Sequence, residues 1–285
     1  MLEDYIRERR KSRTLYMPYL TAGEPDLEST VRMGTAMIEA GADILELGIP
    51  FSDPTADGPV IQRAMMRALS HTDYSLEGVF EAAGKIHEKS PKTPIVLLTY
   101  VNPVLSAFRE RYDRDGLSDA VRRFLERSEQ AGVRGLVIPD LPIESNEYSM
   151  LESQGREAGI DLILMLAPNT DKDRMKWICR SAKGFIYYVT SLGVTGERSG
   201  IRNDLASRVA AIRKKTDTPV FAGFGVSRPE QAAEMRNIVD GVIVGSLHHR
   251  VIEEEGDNAV SRLSEITSGF TAALSANTGP SETGQ

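Results

Sequence analysis

The fold predicted by the sequence is a closed (β/α)8 TIM barrel, a single α/β domain over residues 1–276 with a short N-terminal helix. Three observations predict it. Short apolar runs recur eight times along the 285 residues. Amphipathic helical patterns lie between them. The length suits one large barrel, an architecture that often uses 200 residues or more as a single domain.

The runs are Leu15–Leu20, Ile44–Leu47, Ile95–Tyr100, Gly135–Ile138, Leu162–Leu166, Phe185–Val189, Val220–Ala222 and Val242–Val244. They are too short for helices and too continuous for half-exposed strands. They read as parallel strands buried on both faces. Helical patterns span Leu27–Ala40, Asp119–Gln130, Arg174–Ser181, Asp204–Lys214, Pro229–Asn237 and His248–Glu255. Ser227, ahead of Pro229 and Glu230, reads as an N-cap. A doubly wound open sheet is the competing architecture, but it usually has fewer strands, and no GxGxxG follows a first strand. Met1–Lys11 reads as a helix capping the barrel bottom, and Ser106–Gly116 as a charged excursion after the third strand. Residues 277–285 read as a frayed tail. The basic run Arg7–Arg13 reads as a solvated helix end.

Composition narrows the function. Lys and Arg number 34 against 41 Asp and Glu, a formal charge of −7. That balance argues against sequence-independent nucleic-acid binding, which rests on neutralising phosphates. One cysteine, Cys179, allows no internal disulfide and no thiolate metal cluster. The N-terminus is charged from Glu3 onward, unlike a secretory signal, and no apolar run approaches the ~20 residues that span a bilayer. The expectation is a soluble cytoplasmic protein.

In a barrel, function collects at the C-terminal ends of the strands and the loops after them. The second strand ends in LELGIPFSDPTADGP, with Glu46 inside the apolar part and Asp53 and Asp57 in the following loop. A carboxylate buried without a partner raises its pKa and becomes an acid or base near neutral pH. A structural carboxylate, paired with a base or backbone amides, is the alternative. Asp57 shares the rim, so two carboxylates can flank one substrate; Asp53 reads as a turn-former. Gly223–Ser227 after strand seven and Gly245–Ser246 after strand eight occupy the usual phosphate position, where glycine lets backbone N–H groups approach an anion at a helix N-terminus. They also suit simple tight turns. Ser191–Gly200 reads as a lid, with Thr195 and Gly196 able to reach the same phosphate.

No lysine stands at a strand C-terminal end for a Schiff base, and Lys183 falls at the wrong rim. Of the four histidines, the adjacent pair His248–His249 would point in different directions on one helix and chelate poorly. The site reads as metal-free and run by carboxylates. Tyr19, Tyr100, Tyr187 and Phe224 fall near the mouth and suggest a phosphate ester with apolar bulk.

The stretch LELGIPFSDPTADGPVIQRA, with MPYLTAGEP, LLTYVNP, VIPDLP, SLGVTG, GFGVS and VGS in that order, closely resembles the tryptophan synthase α subunit family over most of the chain. The resemblance implies a barrel lyase that cleaves indole-3-glycerol phosphate to indole and glyceraldehyde 3-phosphate. It implies Glu46 as the acid–base group and Asp57 as acceptor of the indole N–H. Gly196, Gly225, Gly245 and Ser246 would hold phosphate through backbone. Phe224 and Tyr100 would line the indole pocket, Tyr187 would pack near Glu46, and Thr195 would sit in the closing loop against Asp57. Tyr19 completes the substrate-binding set. The implied partner is a β subunit, in an α2β2 heterotetramer, that receives indole and carries pyridoxal phosphate; this chain itself would need no cofactor. Two features depart from the family. Ser106–Gly116 is longer than the usual loop on the rim that faces the β subunit. His248–His249 stands where relatives more often have small or apolar residues, and no catalytic role is assigned to either.

Three other readings compete. One is a stand-alone lyase releasing free indole, distinguished by the lack of a β-subunit effect. Another is a non-catalytic barrel that binds and activates the β subunit, which loss of Glu46 or Asp57 would have favoured. The last is a different phosphosugar barrel enzyme, which would share the phosphate loops but not the Glu46/Asp57 signature.

Overall fold

The computed structural model describes residues 1–108, 116–190, 198–223 and 225–275. Eight parallel strands close into a barrel in chain order, β1 pairing with both β2 and β8. The strands are β1 (Leu15–Thr21), β2 (Leu45–Gly48), β3 (Ile95–Leu98), β4 (Val133–Val137), β5 (Asp161–Leu166), β6 (Ile186–Val189), β7 (Val220–Gly223) and β8 (Gly241–Val244). All eight predicted runs are strands, with ends moved by one or two residues.

Side-chain alternation sorts each strand into two layers. On β1, Leu15, Met17 and Tyr19 point into the barrel with Ile44, Val96, Leu98, Val137, Phe185, Phe221 and Ile243. Tyr16 and Leu20 point outward to the helices, with Leu45, Leu47, Ile95, Leu97, Ile186 and Val242. The interior is therefore a packed core. It is plugged below by Leu2 and Ile6 of α1 (Leu2–Arg9), the predicted cap.

The outer ring begins with α2 (Leu27–Glu39), capped by the Asp26 side chain on Ser29 N–H, then α3 (Pro59–Ser70) and α4 (Leu76–Lys89). It continues with α5 (Val101–Ser106), α6 (Leu117–Gln130), α7 (Asn146–Glu157) and α8 (Lys172–Ser181). α9 (Arg198–Arg213), α10 (Pro229–Met235), α11 (Ser246–Glu255) and α12 (Ala259–Ser275) complete it. Helices α3, α4, α5, α7 and α12 are additions to the predicted set.

Several expectations are corrected. α9 starts six residues before the predicted Asp204, so the last part of the Ser191–Gly200 segment is helical. Ser227 does not cap α10; the N-cap is Arg228, and the Gln231 side chain accepts from the Ser227 and Arg228 N–H groups. The basic run is no simple solvated end. Arg9 and Arg13 hold the fully buried Asp43, Arg10 holds Asp240, and Arg7 pairs with Glu3. Residues 109–115 of the excursion, and the tail expected at 277–285, lie outside the described residues. No helix among the described residues is long and apolar enough to cross a membrane.

Candidate active site

Glu46 follows from the alternation of β2. Leu45 and Leu47 face the helices, so Glu46 and Gly48 face the barrel interior. Glu46 is fully buried, and among the described residues neither carboxylate oxygen has a hydrogen-bond partner. A buried carboxyl without donors cannot hold its charge cheaply. Burial, reinforced by the nearby Asp57 charge, pushes Glu46 up to about 8. It is thus an acid at neutral pH.

Asp57 is carried by the loop between β2 and α3, a chain of turns. The Pro54 carbonyl accepts from Asp57 N–H at 3.1 Å, and Gln62 Nε2 of α3 donates to the Asp57 carbonyl at 2.9 Å. The Tyr100 hydroxyl donates to Asp57 Oδ2 at 2.6 Å and accepts from Ala56 N–H at 3.1 Å. Burial raises the Asp57 carboxyl, and the Tyr100 bond offsets part of that rise. Asp53 is exposed, and its backbone carbonyl, rather than the carboxylate, accepts the turn bond from Thr55 N–H.

Three predicted aromatics gather at this site. Tyr19 is the cross-strand partner of Glu46. Its ring crosses β2 against Gly48, where a Cβ would lie 2.1 Å from the Tyr19 hydroxyl, so only glycine admits it. Tyr187 faces inward on β6, and burial followed by the Glu46 and Asp57 charges pushes its phenol well up. Tyr100 stacks on Phe51 at 5.2 Å, and its hydroxyl on Asp57 makes it more than a pocket wall. Thr195, Gly196 and Phe224 lie outside the described residues.

The phosphate candidates sit on the neighbouring rim. Gly225 has φ of 77°, a conformation that requires glycine. Gly245 is the N-cap of α11 and packs close to Tyr19 and Ile61, and Ser246 opens the helix. The positive end of α11 therefore opens beside Tyr19. Among the described residues, no group of three or more His, Cys, Asp or Glu is arranged to hold a metal ion.

His248 and His249 diverge as expected, yet both are fully buried and bonded. His248 meets the Tyr16 hydroxyl at 2.9 Å and the Tyr19 carbonyl at 3.2 Å; burial drives it down to about 3, so the ring is neutral. His249 joins Glu24 and Thr21. The sequence signal that could have found this network was present: two histidines in the first turn of a helix that must pack on β1.

A family model of the tryptophan synthase alpha chain matches residues 6–275. The alpha chain of Leptospira borgpetersenii serovar Hardjo-bovis is 42% identical over 265 residues, covering 92% of this chain and 96% of that one. That of Synechococcus elongatus is 43% identical over 256 residues, 90% of each. The crystal structure of tryptophan synthase subunit alpha from Legionella pneumophila superposes with a TM-score of 0.81 at 30% identity, covering 96% of this chain and 97% of that one. With a barrel that ends its second strand in a buried acid, and relatives of this closeness, the chain belongs to the tryptophan synthase alpha chain family.

Proposed function

We propose that Glu46 and Asp57 are the catalytic pair with which this chain cleaves indole-3-glycerol phosphate to indole and glyceraldehyde 3-phosphate. Members of the family are lyases that make this cleavage and pass indole to a beta subunit for tryptophan synthesis, and this chain shares that activity and that partner. The observation that carries the assignment is Glu46, buried, unpartnered among the described residues and raised to about 8.

The chemistry needs one group that first gives and then takes a proton. Protonated Glu46 gives its proton to C3 of the indole ring. The ring becomes an iminium whose N–H⁺ is held by the Asp57 carboxylate. Glu46, now a carboxylate, takes the proton from the glycerol hydroxyl on the carbon bonded to C3. The C–C bond breaks, its electron pair flows into the ring and neutralises the nitrogen, and an aldehyde forms. Glu46 ends protonated, ready for another turnover. The iminium is the electron sink, so the reading requires no cofactor in this chain; pyridoxal phosphate belongs to the partner. Tyr19, Tyr100, Tyr187 and Phe224 are read as enclosing the indole. Backbone at Gly196, Gly225, Gly245 and Ser246, with Thr195 in the closing segment, is read as holding the phosphate. An α2β2 heterotetramer in the cytoplasm is the assembly this reading favours.

The test is indole release from indole-3-glycerol phosphate by the chain alone and with excess beta subunit. Slow release that rises strongly with the partner is expected, and fast release indifferent to it would favour a stand-alone lyase. Glu46→Gln should lower turnover at least ~10³-fold while keeping phosphate-ester binding, and Asp57→Asn should cut it steeply in a folded barrel. Wild-type rates in Glu46→Gln would remove the acid–base role.

A further inference from the structure

The motif VIPDLP has no part in the cleavage chemistry proposed above, yet its aspartate bonds the residue that follows Tyr100. Asp140 follows β4 in the turn 138–141, which Leu141 N–H closes on the Ile138 carbonyl at 3.3 Å. It is half-buried. Its Oδ1 accepts from Val101 N–H at 2.9 Å. Val101 opens α5, so this bond joins the rim loop of β4 to that of β3. One step earlier, Thr99 N–H donates to the Val137 carbonyl at 3.0 Å. Tyr100 thus lies between two hydrogen bonds to β4 and its loop.

The start of a helix commonly has its first N–H groups satisfied by a Ser, Thr, Asp or Asn side chain at the cap. The cap of α5 is Tyr100, which makes no side-chain bond to the helix. Its backbone is extended, with φ of −107° and ψ of 162°. The alternation that turns Val96 and Leu98 into the barrel puts Tyr100 on the same face. There its hydroxyl donates to Asp57 Oδ2 at 2.6 Å. The cap residue is committed to the barrel mouth, and the Asp140 side chain from the neighbouring loop serves the helix in its place. Burial, then the bond and charge of Asp57, and last the charge of Asp140 push the Tyr100 phenol up, so it stays a donor.

We propose that Asp140 is a positioning residue of the lyase site: by holding Val101 N–H it fixes the backbone from which the Tyr100 hydroxyl reaches Asp57. Two hydrogen bonds and one peptide unit connect Asp140 to Asp57, across the rim loops of β4, β3 and β2. A hydroxyl displaced by about 1 Å from its present place lies at the limit of hydrogen bonding. The Asp57 carboxylate then loses the donor that favours it over the protonated form. The inference rests on the reading of Asp57 as the carboxylate that holds the indole nitrogen. Among the described residues, the ionisable groups that act on Asp57 or feel its charge are Tyr100, His249 of α11, Glu46 of β2, Tyr19 of β1 and Tyr187 of β6. Asp140 acts through the first of these.

The test is the pH profile of kcat/KM for indole release, whose acid limb reports ionisation of Asp57. A carboxyl stripped of its donor ionises only at higher pH, so Asp140→Ala should move that limb up. The shift should be at most the roughly one pH unit that loss of the Tyr100 bond itself would cause, with a fall of about 3- to 10-fold at the optimum. Asp140→Asn keeps an oxygen for Val101 N–H and should return the limb to its wild-type position. In a Tyr100→Phe background, Asp140→Ala should move the limb no further, since the hydroxyl it directs is gone. A limb unmoved by Asp140→Ala overturns the inference. A shift of equal size in the Tyr100→Phe background overturns it too, because it would mark a general loosening of the rim. The position of the limb does not depend on how much enzyme is folded. Should Asp140→Ala not fold at all, Val101→Pro supplies a second background, since proline is at home in the first turn of a helix and offers no N–H. There Asp140→Ala has no bond to remove, and a moved limb would again sink the inference. Turnover of Asp57→Asn answers separately: a wild-type rate there removes the reading of Asp57, whereas an impaired Asp57→Asn beside an unmoved Asp140→Ala limb removes the role of Asp140 alone.

Discussion

The Tyr100 hydroxyl is bonded to Asp57 at 2.6 Å, so under the proposed mechanism this side chain is more than an apolar wall. Burial, then its bond to Asp57, pushes the phenol far above its ordinary value, so it remains a donor at every working pH. It donates to Asp57, whose carboxyl the proposed mechanism needs ionised to hold a cationic ring. Tyr100→Phe removes that donor, and burial is then less opposed. The Asp57 carboxyl should rise further, and the acid limb of kcat/KM should move up by roughly one pH unit, with a fall of about 10-fold at the optimum. A pH–rate profile of indole release measures both. The basic limb should stay where Glu46 puts it, near 8, because the proposed first step needs that group protonated and is lost as pH rises through it. A Tyr100→Phe profile superimposable on wild type would mean that Tyr100 only lines the pocket. The sequence could suggest an aromatic at the mouth, but not this bond, which joins residues 43 apart across β3 and the loop after β2.

Elements were legible where one physical cause dominated. Parallel strands buried on both faces must be apolar throughout, so all eight stood out, and Glu46 stood out as the exception inside one of them. Helices were harder to read where function or packing blurred the period. α3 starts directly out of the Asp- and Pro-rich loop, and α10 takes its cap from the Gln231 side chain rather than from a serine. α1 carries the same lesson. Its basic run looked like a solvated end because nothing local marks Asp43 or Asp240 as its partners. Each of those carboxylates accepts from two arginines and from one strand N–H, Tyr16 for Asp43 and Val220 for Asp240. These clamps tie α1 and the strand starts together at the barrel bottom. Asp43→Asn removes the buried charge shared by Arg9, which is half-exposed, and Arg13, a loss of about 1–3 kcal/mol because both guanidinium groups can still reach water. Urea unfolding should show it as a lower midpoint. kcat at low temperature should not change, because the bottom of a barrel serves stability and the top serves chemistry. A drop in kcat without a drop in stability would contradict that division.

The molecule as a whole separates satisfied charge from unsatisfied charge. At the bottom, Asp43 and Asp240 are saturated with donors. At the top, Glu46 is held in an apolar interior with no donor among the described residues. The first arrangement stabilises the fold, and the second costs stability, as expected of the group proposed to act as the acid. The sign of that cost follows from linkage. Glu46 has a folded value of about 8 against an ordinary 4.5, so the folded state binds its proton more tightly than the unfolded chain does. Its favourable contribution is complete below pH 4.5, declines as the unfolded carboxyl ionises, and is fully lost once pH passes 8. Glutamine has the same shape and no charge to bury. Glu46→Gln should therefore be more stable than wild type, with a margin that widens by roughly 3–5 kcal/mol between pH 5 and pH 9. Denaturant unfolding at those two pH values, on protein without ligand, measures the widening directly. A margin that is flat with pH would mean that Glu46 is ionised and paired in the folded barrel. The case for a neutral acid at the end of β2 would then fall, whatever the variant's rate of turnover.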